Sequence, residues 1–252
     1  MVRAMTAPPR SIPPQTALFD RAVKGMRARL DEAEDERAVY AALRWGAAEL
    51  DRTYAETPAK VRAVVACRAG CDFCCRGPIG VQAHEVLLAV DHIRTHFPPE
   101  EIVAVIERAS AHRRLRAGPG AEGDGRFVQP CALLRDGRCS IYESRPEICR
   151  SHHTSDAGLC AARAADPSVA VDPAYIPALR ARMFAVMLGI DAAMEEAGFD
   201  DQAYDFGSAL HEALTNSLCA HRWAKQQAAF PDSCREDHFD ERAAGEGLAG
   251  KP

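Results

Sequence analysis

The chain has 252 residues, of which 47% are hydrophobic and 27% charged, and a net charge of −5. That length buries a core without covalent staples, and the composition is that of a globular protein rather than a disordered one. The acidic balance gives no basic footprint for nucleic acid, and no apolar run reaches the length of a membrane span.

Met1 to Pro14 hold Arg3, Arg10 and four prolines but no apolar stretch, which reads as a disordered tail (1–14) and not as a secretory signal. A reducing, cytoplasmic setting is therefore expected. The rest reads as mainly α: one helical domain over 15–230 around a cysteine-rich metal-binding core at 67–160, with one small β-hairpin. Phe19, Ala22, Val23, Met26 and Leu30 recur at helical steps over 16–33, and Val39, Leu43, Gly46 and Leu50 over 35–54, where Pro58 follows as a stop. A third helix is expected over 83–97, with Val86, Val90, Ile93 and Phe97 on one face. A fourth restarts at Pro98-Pro99-Glu100-Glu101, where proline and acids suit a first turn, and runs to about Leu115. Ala117 to Gly125, with four glycines and a proline, reads as a flexible loop.

Residues 127–142 are the one place where strand is expected, because Asp136-Gly137 is a hairpin signal. An ideal two-residue turn pairs Leu134 with Cys139 and sends Cys131 and Cys139 to opposite faces; a longer turn or a bulge brings them to one face. Both registers stay open. Arg145 to Arg150 suits a short helical turn started by Pro146, and 151–173 reads as irregular. Ile176, Leu179, Met183, Val186, Ile190 and Met194 line a helix over 174–197 that Gly198 ends, and Met183, Met187 and Met194 read as core. One more helix is expected over 203–226, through Phe206, Leu210, Leu214 and Leu218. The polar residues 231–252 read as a second disordered tail.

The chemistry lies in the cysteines. Cys67, Cys71, Cys74 and Cys75 fall within nine residues, and Cys131, Cys139 and Cys149 form a second run about sixty residues on. In a reducing compartment such clusters point to metal rather than disulfides, and the neighbours Cys74-Cys75 suit a disulfide badly. Two residues between Cys71 and Cys74 let both thiolates meet one metal from a tight turn. A third thiol at Cys67 gives a loop closer to iron–sulfur loops than to the separated pairs of zinc sites. Adjacent side chains diverge, so Cys75 serves a second metal, a cluster, or nothing. With Cys160 the count reaches eight, enough for two four-thiolate sites. Arg68, Arg76, Arg145 and Arg150 are placed to offset thiolate charge, Arg150 above all as a cofactor-binding residue that donates to sulfur.

The pattern Cys67-x3-Cys71-x2-Cys74-Cys75, with Pro130-Cys131 and Gly137-Arg138-Cys139-Ser140-Ile141-Tyr142-Glu143-Ser144-Arg145-Pro146-Glu147-Ile148-Cys149-Arg150, resembles the YkgJ-type, or CxxCxxCC, cysteine-cluster family. Those proteins are described as zinc- or iron-chelating domains. The resemblance spans 67–150 and implies that the seven cysteines in it are the metal-binding set. It leaves Cys160, Cys219 and Cys234 without counterparts, and it implies no single reaction.

A cysteine-ligated centre is thus expected, a 4Fe–4S cluster favoured over Zn, in a structural, redox or regulatory role. Two alternatives are an S-adenosylmethionine-dependent, methyltransferase-like enzyme and a metal chaperone. Cys67-x3-Cys71-x2-Cys74 has the spacing of the radical S-adenosylmethionine loop, but helices stand where that enzyme's βα barrel needs strands, and no glycine-rich strand–turn–helix signature is present. His152 and His153 read as polar loop residues and His84 and His92 as surface or cap residues. Cys219 reads as a packed thiol, and Cys234, near His238, as a spare one. No protein partner or substrate can be read.

Overall fold

The computed structural model describes residues 14–118, 129–166 and 168–236. The expected tails at 1–13 and 237–252, and most of the expected loop at 117–125, lie outside the described residues. Ten α-helices are described: α1 (Pro14–Asp31), α2 (Glu36–Ala55), α3 (Ala59–Arg62), α4 (Ala83–His96), α5 (Pro99–Arg116), α6 (Glu147–Ser151), α7 (Ala157–Ala165), α8 (Pro177–Glu196), α9 (Phe206–Thr215) and α10 (Leu218–Ala224). The short strands are β1 (Gly80–Gln82), β2 (Leu134–Arg135), β3 (Arg138–Cys139) and β4 (Ala203–Asp205).

Two layers of helices follow from the apolar faces. α1, α2 and α8 pack together, burying Ala22, Met26, Leu43, Leu50, Met183, Val186 and Ile190. The crossing of α1 and α8 is close. A Cβ on Gly189 would lie 2.7 Å from the Phe19 carbonyl oxygen and 2.8 Å from the Ala22 Cβ, so only glycine fits there. The second layer sets α4 and α5 against α9, through Val86, Val90, Val105, Ala109, Ala209 and Leu210. Caps agree with the local sequence. Asp35 accepts a hydrogen bond from the Ala38 N–H at 2.8 Å, and Gln82 and Glu85 form a capping box on α4.

The structure departs from the sequence reading in four places. Strand is not confined to the hairpin: β1 pairs antiparallel with β4, Val81 opposite Tyr204, and Arg235 bridges to Tyr204 on the other edge. Each segment is three residues long and its partner is more than a hundred residues away, so no local alternation reveals it. Residues 151–173 hold α7, started where the Asp156 side chain accepts from the Leu159 N–H. The helix expected over 203–226 is two helices. Asn216 is extended, and its side-chain oxygen accepts from the Leu218 N–H, a local bond that competes with helical continuation. Finally, residues 231–236 are packed rather than loose, with Cys234 wholly buried.

The hairpin is the two-residue form. Leu134 pairs with Cys139, and Asp136 and Gly137 both have positive φ, 49° and 71°. Among the described residues all strand pairing is two-stranded and antiparallel, so no parallel βα barrel is present among them.

Candidate metal centre

The two cysteine runs meet at one end of the helical layers. The chain leaves α3 and is tied down where the Ala66 N–H donates to the Thr154 carbonyl at 2.8 Å. It turns at Arg68–Cys71 and winds into a 3-10 turn, Phe73–Arg76, that carries Cys74 and Cys75. The second run pairs with this turn by main chain. The Cys131 N–H donates to the Cys75 carbonyl at 2.8 Å, and the Gln129 N–H to that of Arg76 at 3.0 Å. Arg108 holds the far side, its Nε donating to the Ala132 carbonyl at 2.7 Å.

The register question is resolved by where the ladder stops. Cys131 lies outside β2, in a turn closed by a Leu134 N–H to Cys131 carbonyl bond of 2.9 Å, so strand alternation does not reach it. Cys131 and Cys139 therefore lie close enough for the charge of Cys139 to raise the Cys131 thiol. α6 brings Cys149 to the same place, within reach of Cys131, Cys74 and Cys139. α7 packs on the 3-10 turn and presents Cys160 beside Thr154, whose hydroxyl lies 3.2 Å from the Cys160 sulfur and 3.7 Å from that of Cys67. The Thr154 N–H donates to the Cys67 sulfur at 3.5 Å.

Two groups of three thiols result, joined by one residue. Cys67, Cys71 and Cys160 lie on one side, Cys131, Cys139 and Cys149 on the other, and Cys74 feels both. The Cys75 thiol beside it raises the Cys74 thiol. All ten cysteines are free.

Burial pushes these thiols up: Cys131 to about 11, Cys149 well above its ordinary value, and Cys71, Cys139 and Cys160 in the same direction. Cys74 rises too, first through its hydrogen bond with Cys75 and then through burial. Cys74 and Cys149 nonetheless keep solvent-accessible surface. Thiols held this high stay protonated at neutral pH unless a cation is present to displace the protons, which is the donor chemistry a soft metal needs.

Arg150 is fully buried, but its donors do not go to sulfur. Nη1 reaches Asp51 at 2.5 Å, Nε the Arg145 carbonyl at 3.0 Å, and Nη2 the Glu143 carbonyl. Its charge, together with that of Arg145, still lowers the Cys139 thiol against the effect of burial. Arg76 is bonded to Asp72 at 2.6 Å.

The histidines differ from the sequence reading. His153 stacks on Tyr54, ring centroids 4.5 Å apart, and burial lowers it to about 4; His152 meets Tyr175 edge-on at 5.3 Å and is lowered too. Both are neutral, half-buried rings behind the cysteines. His84 is buried rather than at the surface, and His92 accepts or donates at 3.1 Å to the Ser144 hydroxyl. Cys219 is a packed thiol, as its helix position suggests, and Cys234 is packed as well.

Among the described residues no three sulfurs lie mutually within 4.8 Å. Among the described residues, the group of three ligand atoms that all lie within 4.8 Å is His84, Glu147 and Asp191, with no cysteine in it. A single tetrahedral zinc holds its sulfurs about 3.8 Å apart, given Zn–S bonds of about 2.3 Å.

Residues 66–167 match the family model CxxCxxCC, described as a putative zinc- or iron-chelating domain. The match extends beyond the cysteine pattern at 67–150 to include α7 and Cys160. The chain matches no curated protein and no solved structure. No helix among the described residues is long and apolar enough to cross a membrane.

Proposed function

We propose that the thiols of residues 66–167, which match the CxxCxxCC model described as a putative zinc- or iron-chelating domain, hold an iron–sulfur centre, with zinc as the second reading. The ligands are drawn from Cys67, Cys71, Cys74, Cys75, Cys131, Cys139, Cys149 and Cys160. The observation that carries this is the position of Cys74 between two groups of three thiols. One closed tetrahedral ion uses four sulfurs, whereas this set offers eight and is spread more widely than a single zinc requires. A cluster of several irons, or two ions, uses such a set better.

A bound cluster would supply one-electron redox chemistry, and a bound zinc would supply stability. The chain's own residues supply the setting. Thr154 orients Cys67 and Cys160, the Cys75 carbonyl anchors Cys131, and Arg145 and Arg150 offset charge at Cys139. In this reading Arg150 acts on the cofactor through its field, not through a bond to sulfur. Clustered thiols of this kind suit a reducing compartment, so the cytoplasm is the proposed location.

Anaerobic purification followed by iron, zinc and acid-labile sulfide analysis tests the proposal. Iron and sulfide in comparable amounts, with visible colour, are expected. Colourless protein with zinc and no sulfide selects the ion. Protein with neither metal, after anaerobic handling and reconstitution, defeats both.

A further inference from the structure

At the start of α6, two residues from Cys149, three helices converge on a small buried pocket. We propose that His84, Glu147 and Asp191 form a second, thiol-free site for one divalent first-row cation of the manganese–iron–zinc group. His84 begins α4, Glu147 begins α6, and Asp191 lies in the second half of α8. One ligand atom from each lies within 4.8 Å of the other two.

Two further observations point to a ligand. His84 and Glu147 are 2% and 6% exposed, and the His84 Nδ1 and Glu147 Oε2 atoms are buried with no hydrogen-bond partner. Orphaned polar atoms in an interior are costly, so they persist when something answers them. Both residues line a cavity of about 10 Å³, room for one water-sized body, whose other walls include Met26, Leu43 and Ile190.

The charges around the pocket agree. Glu85 lines it too, but its oxygens accept from the Gln82 and Glu147 N–H groups at 3.4 and 3.2 Å, so it positions Glu147 rather than ligating. Three carboxyl groups thus face one imidazole, whose Nε2 is 3.4 Å from Glu147 Oε1. The nearby cations are committed elsewhere: Arg150 and Arg145 both reach Asp51, and Arg145 also donates to the Tyr142 carbonyl at 2.7 Å. A divalent ion answers that surplus of acid, and two of its three ligands, His84 and Glu147, each keep an unpartnered buried atom. One nitrogen with carboxylate oxygens suits manganese, iron or zinc; an all-oxygen set would suit calcium or magnesium.

Manganese(II) is the probe, because thiolates are poor ligands for it and the cysteine centre is left out of the measurement. Full-length protein is titrated with Mn²⁺ and free ion is followed by electron paramagnetic resonance. The expected result is one Mn²⁺ per chain, a ¹⁴N coupling in the pulsed spectrum, and a rise in melting temperature on adding Mn²⁺. Asp191→Asn is expected to weaken binding by about tenfold or more, and His84→Gln to remove the ¹⁴N coupling, with the metal content at the cysteines unchanged. Asp191 is half-buried, so Asp191→Asn reads the site even if His84→Gln fails to fold. Binding well below one ion per chain, bound Mn²⁺ without ¹⁴N coupling in the unaltered protein, or unaltered affinity in Asp191→Asn overturns the site. The cluster would then be carboxyl groups sharing protons.

Discussion

Arg150 reaches Asp51 across 99 residues of sequence, Nη1 to Oδ2 at 2.5 Å. The bond fastens the second cysteine run to α2, and the same guanidinium satisfies the carbonyls of Glu143 and Arg145. Its side chain is 1% exposed while Asp51 is 47% exposed. The carboxylate can turn to water if the arginine is lost; the two carbonyls cannot do so as easily. Arg150→Met is therefore expected to cost about 2–4 kcal/mol, mostly from the orphaned carbonyls. Arg150→Lys should recover little, because an ammonium cannot serve three directions from one plane. Thermal melts give the answer: a loss of roughly 5–15 °C is expected, and a drop of a degree or less would show that the clamp contributes nothing.

Thr154 is 1% exposed and touches the sulfurs of Cys67 and Cys160 through one hydroxyl. Its backbone N–H also donates to Cys67 and survives substitution. Thr154→Val keeps the shape and removes the hydroxyl, at a cost to folding of about 1 kcal/mol. If the two thiols act as ligands, metal affinity should fall by about 10–100-fold, as for other groups that orient a ligand. Competition with a chelator measures this, and equal rates of metal loss from the variant and the parent would remove Cys67 and Cys160 from the ligand set.

The helices were legible because each long one repeats its apolar residues at helical steps, as Leu179, Met183, Val186, Ile190 and Met194 do in α8. The cysteine set was legible because its spacing is dense, and the family match follows the same residues. What escaped was non-local or short. The pairing of β1 with β4 joins two three-residue segments, and neither alternates long enough to register. Cys234 looks like a tail residue until Arg235 and Glu236 lay along β4. Asp156 did offer a signal for α7, as an N-cap ahead of an alanine-rich stretch, and Asn216 one for the break after α9. His84, Glu147 and Asp191 give no such signal. Each stands in an ordinary position on its own helix, and only the packing of three helices brings them together.

The cysteines themselves divide into testable classes. Cys71→Ser and Cys74→Ser are expected to lower metal content by more than half, with reduced solubility, since both stand in the proposed ligand set. Cys219→Ala is the control: it is buried at 1% exposure on α10, away from both runs, and should leave metal content intact while costing about 1 kcal/mol of packing. Metal analysis by plasma mass spectrometry separates the two. Full occupancy in Cys71→Ser and Cys74→Ser together would refute the ligand assignment.

Asp205 offers a pH-dependent check on the other layer. It caps α9, accepting from the Ser208 N–H at 3.0 Å and the Ser208 hydroxyl at 2.7 Å, and its carboxylate meets His112 Nε2 at 3.0 Å. Burial pushes this carboxyl up, but the bond and charge of His112, with the two bonds from Ser208, outweigh it and hold the group below the usual carboxylate range. A carboxyl whose folded pKa is depressed stabilises the protein above the unfolded value of about 3.9, and the stabilisation is lost as pH falls through the folded one. Asp205→Asn should thus cost about 1–3 kcal/mol at pH 5, where the carboxylate is ionised. The gap should narrow below about pH 4, as the parent's carboxylate takes up its proton. Urea unfolding of both proteins at pH 5 and 3 measures it, and a gap that is as wide at pH 3 as at pH 5 would mean that the charge on Asp205 is not what holds β4 and α9 to α5.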